Sequence, residues 1–286
     1  MVSKLYRFFR PSPKELSLGA ELDALYSDCC ADHLDLKDGE EMPLPESIDI
    51  IALQDAALKN IYEGYAEAVE PHLHQITYEA MSIAIGISFE PNSELMQALT
   101  ESGSWFAANK SWLVANKLAQ LLVDKKGTKV GFSAFKKASE PILGDYNTKY
   151  LRTEYNTAVR SARIASNWEK WAKNSDLYPN LEYIRSRAAN PREQHLQYVG
   201  TIRPFNDPFW KTHTPPLDWN CLCSLRQTDK APTEISADLP RPATGLGHNV
   251  AMSRELFGSS HPYFRRVPKS AREDIQQWND KFVNNG

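Results

Sequence analysis

No uninterrupted apolar run in the sequence approaches the ~20 residues that a membrane-crossing helix requires, which removes a helical span from the reading. Cysteine is scarce. Cys29, Cys30, Cys221 and Cys223 fall in two tight pairs that close no useful loops, so a secreted disulfide framework is excluded and reduced thiols or one metal site remain. The common catalytic signatures are missing too: no glycine-rich phosphate loop, no H-E-x-x-H helix, no nucleophile elbow and no pair of C-x-x-C modules. Their absence argues against the widespread enzyme classes and leaves room for an unusual nuclease. Internal repeats and low-complexity runs are absent. The first residues, M-V-S-K-L-Y-R-F-F-R-P, are basic and aromatic but too short for the apolar core of a signal peptide, which predicts synthesis in the cytoplasm.

What is present is ordinary in bulk and uneven in detail. A content of 42% hydrophobic and 24% charged residues over 286 positions suits one large or two modest globular domains. The net charge of −3 hides a gradient: Lys and Arg number 10 against 20 Asp and Glu in residues 1–127, then 15 against 10 in 128–229 and 8 against 6 in 230–286. An acidic front and a basic middle imply faces with different partners, or a front that the acids simply solvate.

Apolar spacing predicts helices over Ser12–Asp35 in part, Ile48–Val69, His72–Ile87 and Ser93–Asp124, the last apolar around much of its circumference and so central to a bundle. Val130–Leu143 supplies Phe132 and Phe135 ahead of Pro141. Asp145–Asn174 has no Pro or Gly over 30 residues and predicts a helix about 45 Å long. Its buried stripe is Leu151, Tyr155, Ala158, Val159, Ala162, Ala165 and Ala172. Beside it runs a ridge, Lys149, Arg152, Asn156, Arg160, Arg163, Asn167 and Lys170, at steps of three and four with no acid among them. Lys149, Arg152, Arg160, Arg163 and Lys170 are the candidate DNA-binding residues. The same ridge also reads as a solvated face or as partners for acids elsewhere in the fold.

After Tyr178 the period changes. Leu181–Ser186 and Val199–Pro204 read as short strands flanking a short helix at Pro191–Tyr198, with a further strand over Cys221–Thr228. Between them lies Asp207–Gln227, D-P-F-W-K-T-H-T-P-P-L-D-W-N-C-L-C-S-L-R-Q, with two Trp, one Phe, three Pro and two Cys in 21 residues. Pro208, Pro215 and Pro216 exclude a regular helix, so Phe209–Trp219 predicts an ordered loop pinned by buried rings. The whole reads as an α+β fold, a mostly helical N-terminal part leading into a small mixed unit with a short sheet, followed by an extended C-terminal tail. The expected units are 1–47, 48–127, 128–229 and 230–286. The last comprises a Pro- and Gly-rich linker, a segment docked by Phe257, Tyr263 and Phe264, and a short helix over Lys269–Asn279.

One constellation can carry chemistry: His195, Cys221 and Cys223, with His213 or Asp218 as further members. Two thiolates and an imidazole ligate zinc, and a water in a fourth position would make a Lewis-acid site. A straight C-x-C strand spaces its Cα atoms by about 7 Å, so both sulfurs reach one ion only across a bend. The rival readings are thiols and imidazole packed beneath the Trp/Pro loop, and a catalytic Cys–His pair, which requires a lowered thiol pKa. Cys29, Cys30 and His33 supply only three local donors, with adjacent cysteines ill-placed for one ion. His72 and His74 diverge on their helix and read as surface or packing residues.

Several segments together resemble a known family. L-R-T-E-Y-N-T-A (151–158), N-L-E-Y-I-R (180–185), R-E-Q-H-L-Q-Y-V-G (192–200), D-P-F-W, T-P-P-L-D-W-N-C-L-C and S-S-H-P-Y-F (259–264) occur in the order and approximate spacing of the phage Mu F-like and SPP1 gp7-like minor head proteins. The likeness runs over roughly Leu113–Asp229. It departs at Leu222, where the family usually carries a basic residue between the cysteines, and at Ala189–Arg192, where it carries an acidic run. The resemblance implies a virion or procapsid protein of head morphogenesis and DNA packaging, with the portal protein and other head proteins as partners. The basic ridge would then meet packaged double-stranded DNA. The alternative is a metal-dependent nuclease or effector enzyme of phage or toxin origin, since modules of the resembled kind also occur joined to toxin domains.

Overall fold

Three of the longer helices begin where a side chain can accept the free N–H groups of the first turn. Residues 17–27, 42–91, 93–186, 191–236 and 238–285 are described by a computed structural model. Helix α1 spans Leu18–Ser27. The carboxylate of Asp49 caps α2 (Ile50–Glu63) through Ala52 N at 3.0 Å, and Gly64, in the left-handed region, closes it five residues before the expected Val69. Glu70 caps α3 (Pro71–Gly86), with Pro71 in the first turn where its missing N–H costs nothing. Ser93 caps α4 (Glu94–Ala119) through Met96 N.

Helix α4 is buried around much of its circumference, as its apolar distribution predicts, and α2, α3 and the C-terminal elements pack against it. Gly103 lets α3 come close: a Cβ there would stand 3.1 Å from that of Met81. His74 lies fully buried, its Nε2 at 3.2 Å from Ser104 and its ring packed on Trp278 and Phe282, so packing is its role.

Helix α5 (Phe132–Gly144) contains Pro141 rather than ending before it, and leads without a break into a five-residue π segment, Asp145–Lys149. Helix α6 (Tyr150–Lys173) follows. The long helix expected from Asp145 therefore starts with one wide turn. Its buried stripe holds from Leu151 to Ala165, while Ala172 is exposed, because the last turns of α6 run out past the core. Upstream residues Leu151 to Ala165 belong to the main helical core, and Trp168 packs in a second core with Leu181, Tyr183, Phe209 and Trp210, so α6 is shared by both.

The sheet has three antiparallel strands in the order β2, β1, β3. β1 (Asn180–Ile184) is central, pairing Leu181 with Arg203 of β2 (Ile202–Pro204) and with Gln227 of β3 (Ser224–Thr228). Helix α7 (Glu193–Leu196) sits between β1 and β2. Strand β3 begins after both cysteines, not at Cys221, because Asn220 at φ 56° turns the chain and Cys221 N bonds back to Asp218 O at 3.0 Å. The loop before it starts with a 3-10 turn, Pro208–Lys211, capped by Asp207, and is pinned by the fully buried Trp210 and Trp219 as expected.

Past β3, the stretch expected to be a linker packs on this loop: Ala243 N bonds Leu217 O at 2.8 Å and Leu246 is buried. The tail docks through Leu256, Phe257 and Tyr263, and much of it is helical, in α8 (Val250–Ser253), α9 (Pro262–Arg266) and α10 (Lys269–Asn285). Ile275 and Trp278 pack α10 against Val69, Ala108 and Val267, and it runs past the expected Asn279 to bring Phe282 onto His74 and Tyr78.

Candidate metal centre

His195 comes from α7, and Cys221 and Cys223 from the bent approach to β3. The bend that a C-x-C pair needs is supplied by Asn220, and the result is convergence: one ligand atom from each of the three side chains lies within 4.8 Å of the others. Cys221 Sγ is 3.4 Å and Cys223 Sγ 3.6 Å from the same nitrogen, His195 Nδ1. Cys221 and His195 are buried and Cys223 is half-buried. The amide of Cys223 points at Cys221 Sγ, 3.4 Å away.

Behind the imidazole stands Asp218, with Oδ2 at 3.9 Å from His195 Nε2. Arg192 forms an ion pair with that same carboxylate oxygen, and Trp219 N donates to the other at 2.8 Å. Asp218 thus joins the constellation. His213 does not: it stacks on Phe209 at 4.7 Å, and its Nδ1 meets the hydroxyl of Thr212. Arg192 was missed because the four residues that contain it read as a departure from the family pattern. Its only sequence signal is a cation three residues before the histidine. Cys29, Cys30 and His33 lie outside the described residues.

Burial raises the Cys221 thiol, yet hydrogen bonds with Cys223 and His195 and the charge of the imidazole together carry it well below the ordinary thiol value. The two phenols beside the cluster move the other way. Burial, and then the charge of the cysteines, pushes Tyr183 far up and Tyr198 to about 12. A cavity of about 440 Å³ opens against His195, Tyr198, Leu217 and Asp218, with Pro240 and Arg241 opposite, and the cysteines are not among its lining. A molecule in it would meet the far edge of the imidazole, not the sulfurs.

The basic ridge is divided by the fold. Lys149 pairs with Asp23 at 2.6 Å, Asn156 is buried and bonded to Met42, and Arg160 is half-buried against Asn220 at 3.3 Å. Arg152, Arg163 and Lys170 are exposed.

The three donors and the part of the cavity wall from His195 to Asp218 fall inside a stretch that is also recognisable by comparison: residues 113–226 match the model of the family described as Phage Mu protein F like protein. Over that stretch the chain is similar to the Mu F-like family. The putative capsid assembly protein F of Escherichia phage Mu is 31% identical over 112 residues, covering 39% of this chain and 23% of that protein. The Mu-like prophage FluMu F protein of Haemophilus influenzae is 38% identical over 171 residues, covering 47% of this chain and 40% of that protein. The chain therefore spans less than half the length of either relative. No solved structure matches it.

The Mu F-like segment is held by residues outside it. Glu154, fully buried on α6, accepts from Lys110 Nζ at 2.6 Å, Tyr263 OH at 2.8 Å and Tyr26 OH at 3.1 Å. His261 joins through Tyr26 at 3.0 Å. From sequence Tyr263 reads only as a docking residue of the tail, and the Lys110–Glu154 pair does not read at all, since a buried Lys–Glu pair 44 residues apart leaves no local signature.

Proposed function

We propose that this chain is a head protein of a phage or prophage, incorporated at the portal or in the procapsid and acting in head morphogenesis and DNA packaging. The observation that carries this is the match of residues 113–226 to the Mu F-like family, together with a relative named for capsid assembly. The arrangement of chemistry supports the same reading. The cysteines stay off the adjoining cavity, which His195 and Asp218 line, as suits a module that offers surfaces rather than a reaction. The acidic front is the face for a basic portal surface, and other head proteins are the remaining partners. Among the described residues no helix is long and apolar enough to cross a membrane.

Proteomics of purified particles and pull-down with the portal protein test this. The chain is expected in procapsids or virions and in the portal complex. Absence from all three would overturn the reading, as would metal-dependent cleavage of DNA or RNA by the pure protein.

Packaged double-stranded DNA is the further partner in this reading, met by the exposed Arg152, Arg163 and Lys170. Contacts of this kind are sequence-blind, and the log–log salt slope grows by about 0.9 per phosphate neutralised. Replacing the three with Gln should weaken binding to duplex DNA and reduce the slope by about 2 to 3 while leaving the helix content unchanged. Unchanged affinity and slope would take DNA off this face.

A further inference from the structure

We infer that His195 Nδ1, Cys221 Sγ and Cys223 Sγ hold one thiophilic divalent cation, Zn²⁺, as a structural staple between α7 and the approach to β3. The inference is independent of the head-protein reading: it concerns how the segment is held together, whatever it assembles with.

Geometry is the first support. A tetrahedral ion with Zn–S near 2.3 Å and Zn–N near 2.0 Å sets its S···N edges at about 3.5 Å. The two edges here are 3.4 and 3.6 Å, and both end on the same imidazole nitrogen. Packing alone has no reason to aim two sulfurs at one lone pair.

The second support is the surroundings of each donor. With Nδ1 committed to an ion, the imidazole proton must sit on Nε2, and that edge faces Asp218, itself fixed by Arg192 and by the amide of Trp219. A carboxylate behind a ligating histidine fixes both tautomer and ring orientation. Cys221 Sγ also faces a backbone N–H, that of Cys223, a donor that strengthens when the sulfur carries charge. The two cysteines are not joined in a disulfide.

Charge is the third. Two thiolates in a largely buried cluster carry a desolvation cost that a divalent cation cancels. Soft sulfur with imidazole selects zinc over magnesium or calcium. The half-buried Cys223 marks the side from which water fills the fourth position. The adjoining cavity touches His195 but neither cysteine, which assigns the ion to architecture, not to Lewis-acid catalysis. The closure joins residues 26 and 28 positions apart, enclosing the Trp/Pro loop.

Metal analysis of the full chain, purified without chelator, should find about one zinc per chain, and the Cys221→Ser/Cys223→Ser double variant less than about a tenth of that. A Cys29→Ser/Cys30→Ser variant should keep its zinc. Because the first double variant can fail to fold, the wild-type chain is also stripped and titrated with Co²⁺. Intense visible d–d bands with thiolate charge transfer, saturating near one equivalent, are expected. Zinc that follows Cys29 and Cys30, or a folded wild-type chain that neither retains zinc nor gives the tetrahedral Co²⁺ spectrum, overturns the inference.

Discussion

Substituting Lys110 by Met, with Glu154 left in place, is expected to lower the unfolding free energy by about 3–5 kcal/mol, because it strands a carboxylate where no water can reach it. The side chains of Lys110 and Glu154 are 1% and 0% exposed and their charged atoms are 2.6 Å apart. Burial pulls the Lys110 ammonium below its ordinary value, and Glu154 opposes that shift. Tyr26 and Tyr263 both aim their hydroxyls at Glu154 Oε1, so the carboxylate spends its lone pairs on three donors from three different elements. Glu154→Gln should cost a comparable amount by leaving the ammonium unpaired. The double variant should be less destabilised than the sum of the singles, since neither charge then stays buried alone. Urea unfolding at neutral pH measures all three. If each single variant lay within about 1 kcal/mol of wild type, the pair would not be the dry contact described. The same network bears on organisation. Lys110, Tyr26, His261 and Tyr263 all lie outside residues 113–226, so the family segment is completed by chain from both sides of it.

How much of this was legible follows from where each signal is written. Helices announce themselves locally. Asp49, Ser93 and Pro71 sit at starts, and the apolar distribution of α4 predicted burial on nearly every face. The convergence of His195 with the two cysteines was also readable, because the residue types narrow the chemistry before geometry is known. What the sequence could not state was the turn at Asn220, since a left-handed asparagine looks like any other until the chain beyond it is placed. The basic ridge shows the opposite failure. Helical spacing put its residues on one side of a single helix, but Lys149 lies in the π segment before α6, and which of them meet solvent depends on Asp23, Met42 and Asn220, which come from 60 to 126 positions away. Long-range partners decided the tail as well: the face of α10 meets Val69 and Ala108, and Phe282 meets His74 and Tyr78.

Trp219 tests whether the loop near the end of the Mu F-like segment also anchors the C-terminal chain, and Trp219→Ala should cost about 3–5 kcal/mol. The ring is fully buried, with centroids 4.9 Å from Tyr26 of α1, 5.0 Å from Phe257 and 5.2 Å from His261. Its indole N–H donates to Thr244 O at 3.2 Å. Gly245 follows at φ +90°, where a Cβ would stand 3.3 Å from the indole edge, so the backbone is moulded to this ring. Truncation opens a cavity lined by Tyr26, Phe257 and His261, and relaxation toward it is limited because Tyr26 and His261 are held in the Glu154 network. Trp219→Phe keeps most of the volume but orphans the carbonyl of Thr244, and should cost about 1–3 kcal/mol. Hydrogen exchange locates the effect: in Trp219→Ala the amides of Ala243 and Gly258, bonded to Leu217 O and Gly245 O, should lose protection first, while those of α4 should fall only with the global stability. A loss under about 1 kcal/mol with protection at Ala243 and Gly258 unchanged would mean that the tail is held without this ring, by Leu256 and Tyr263.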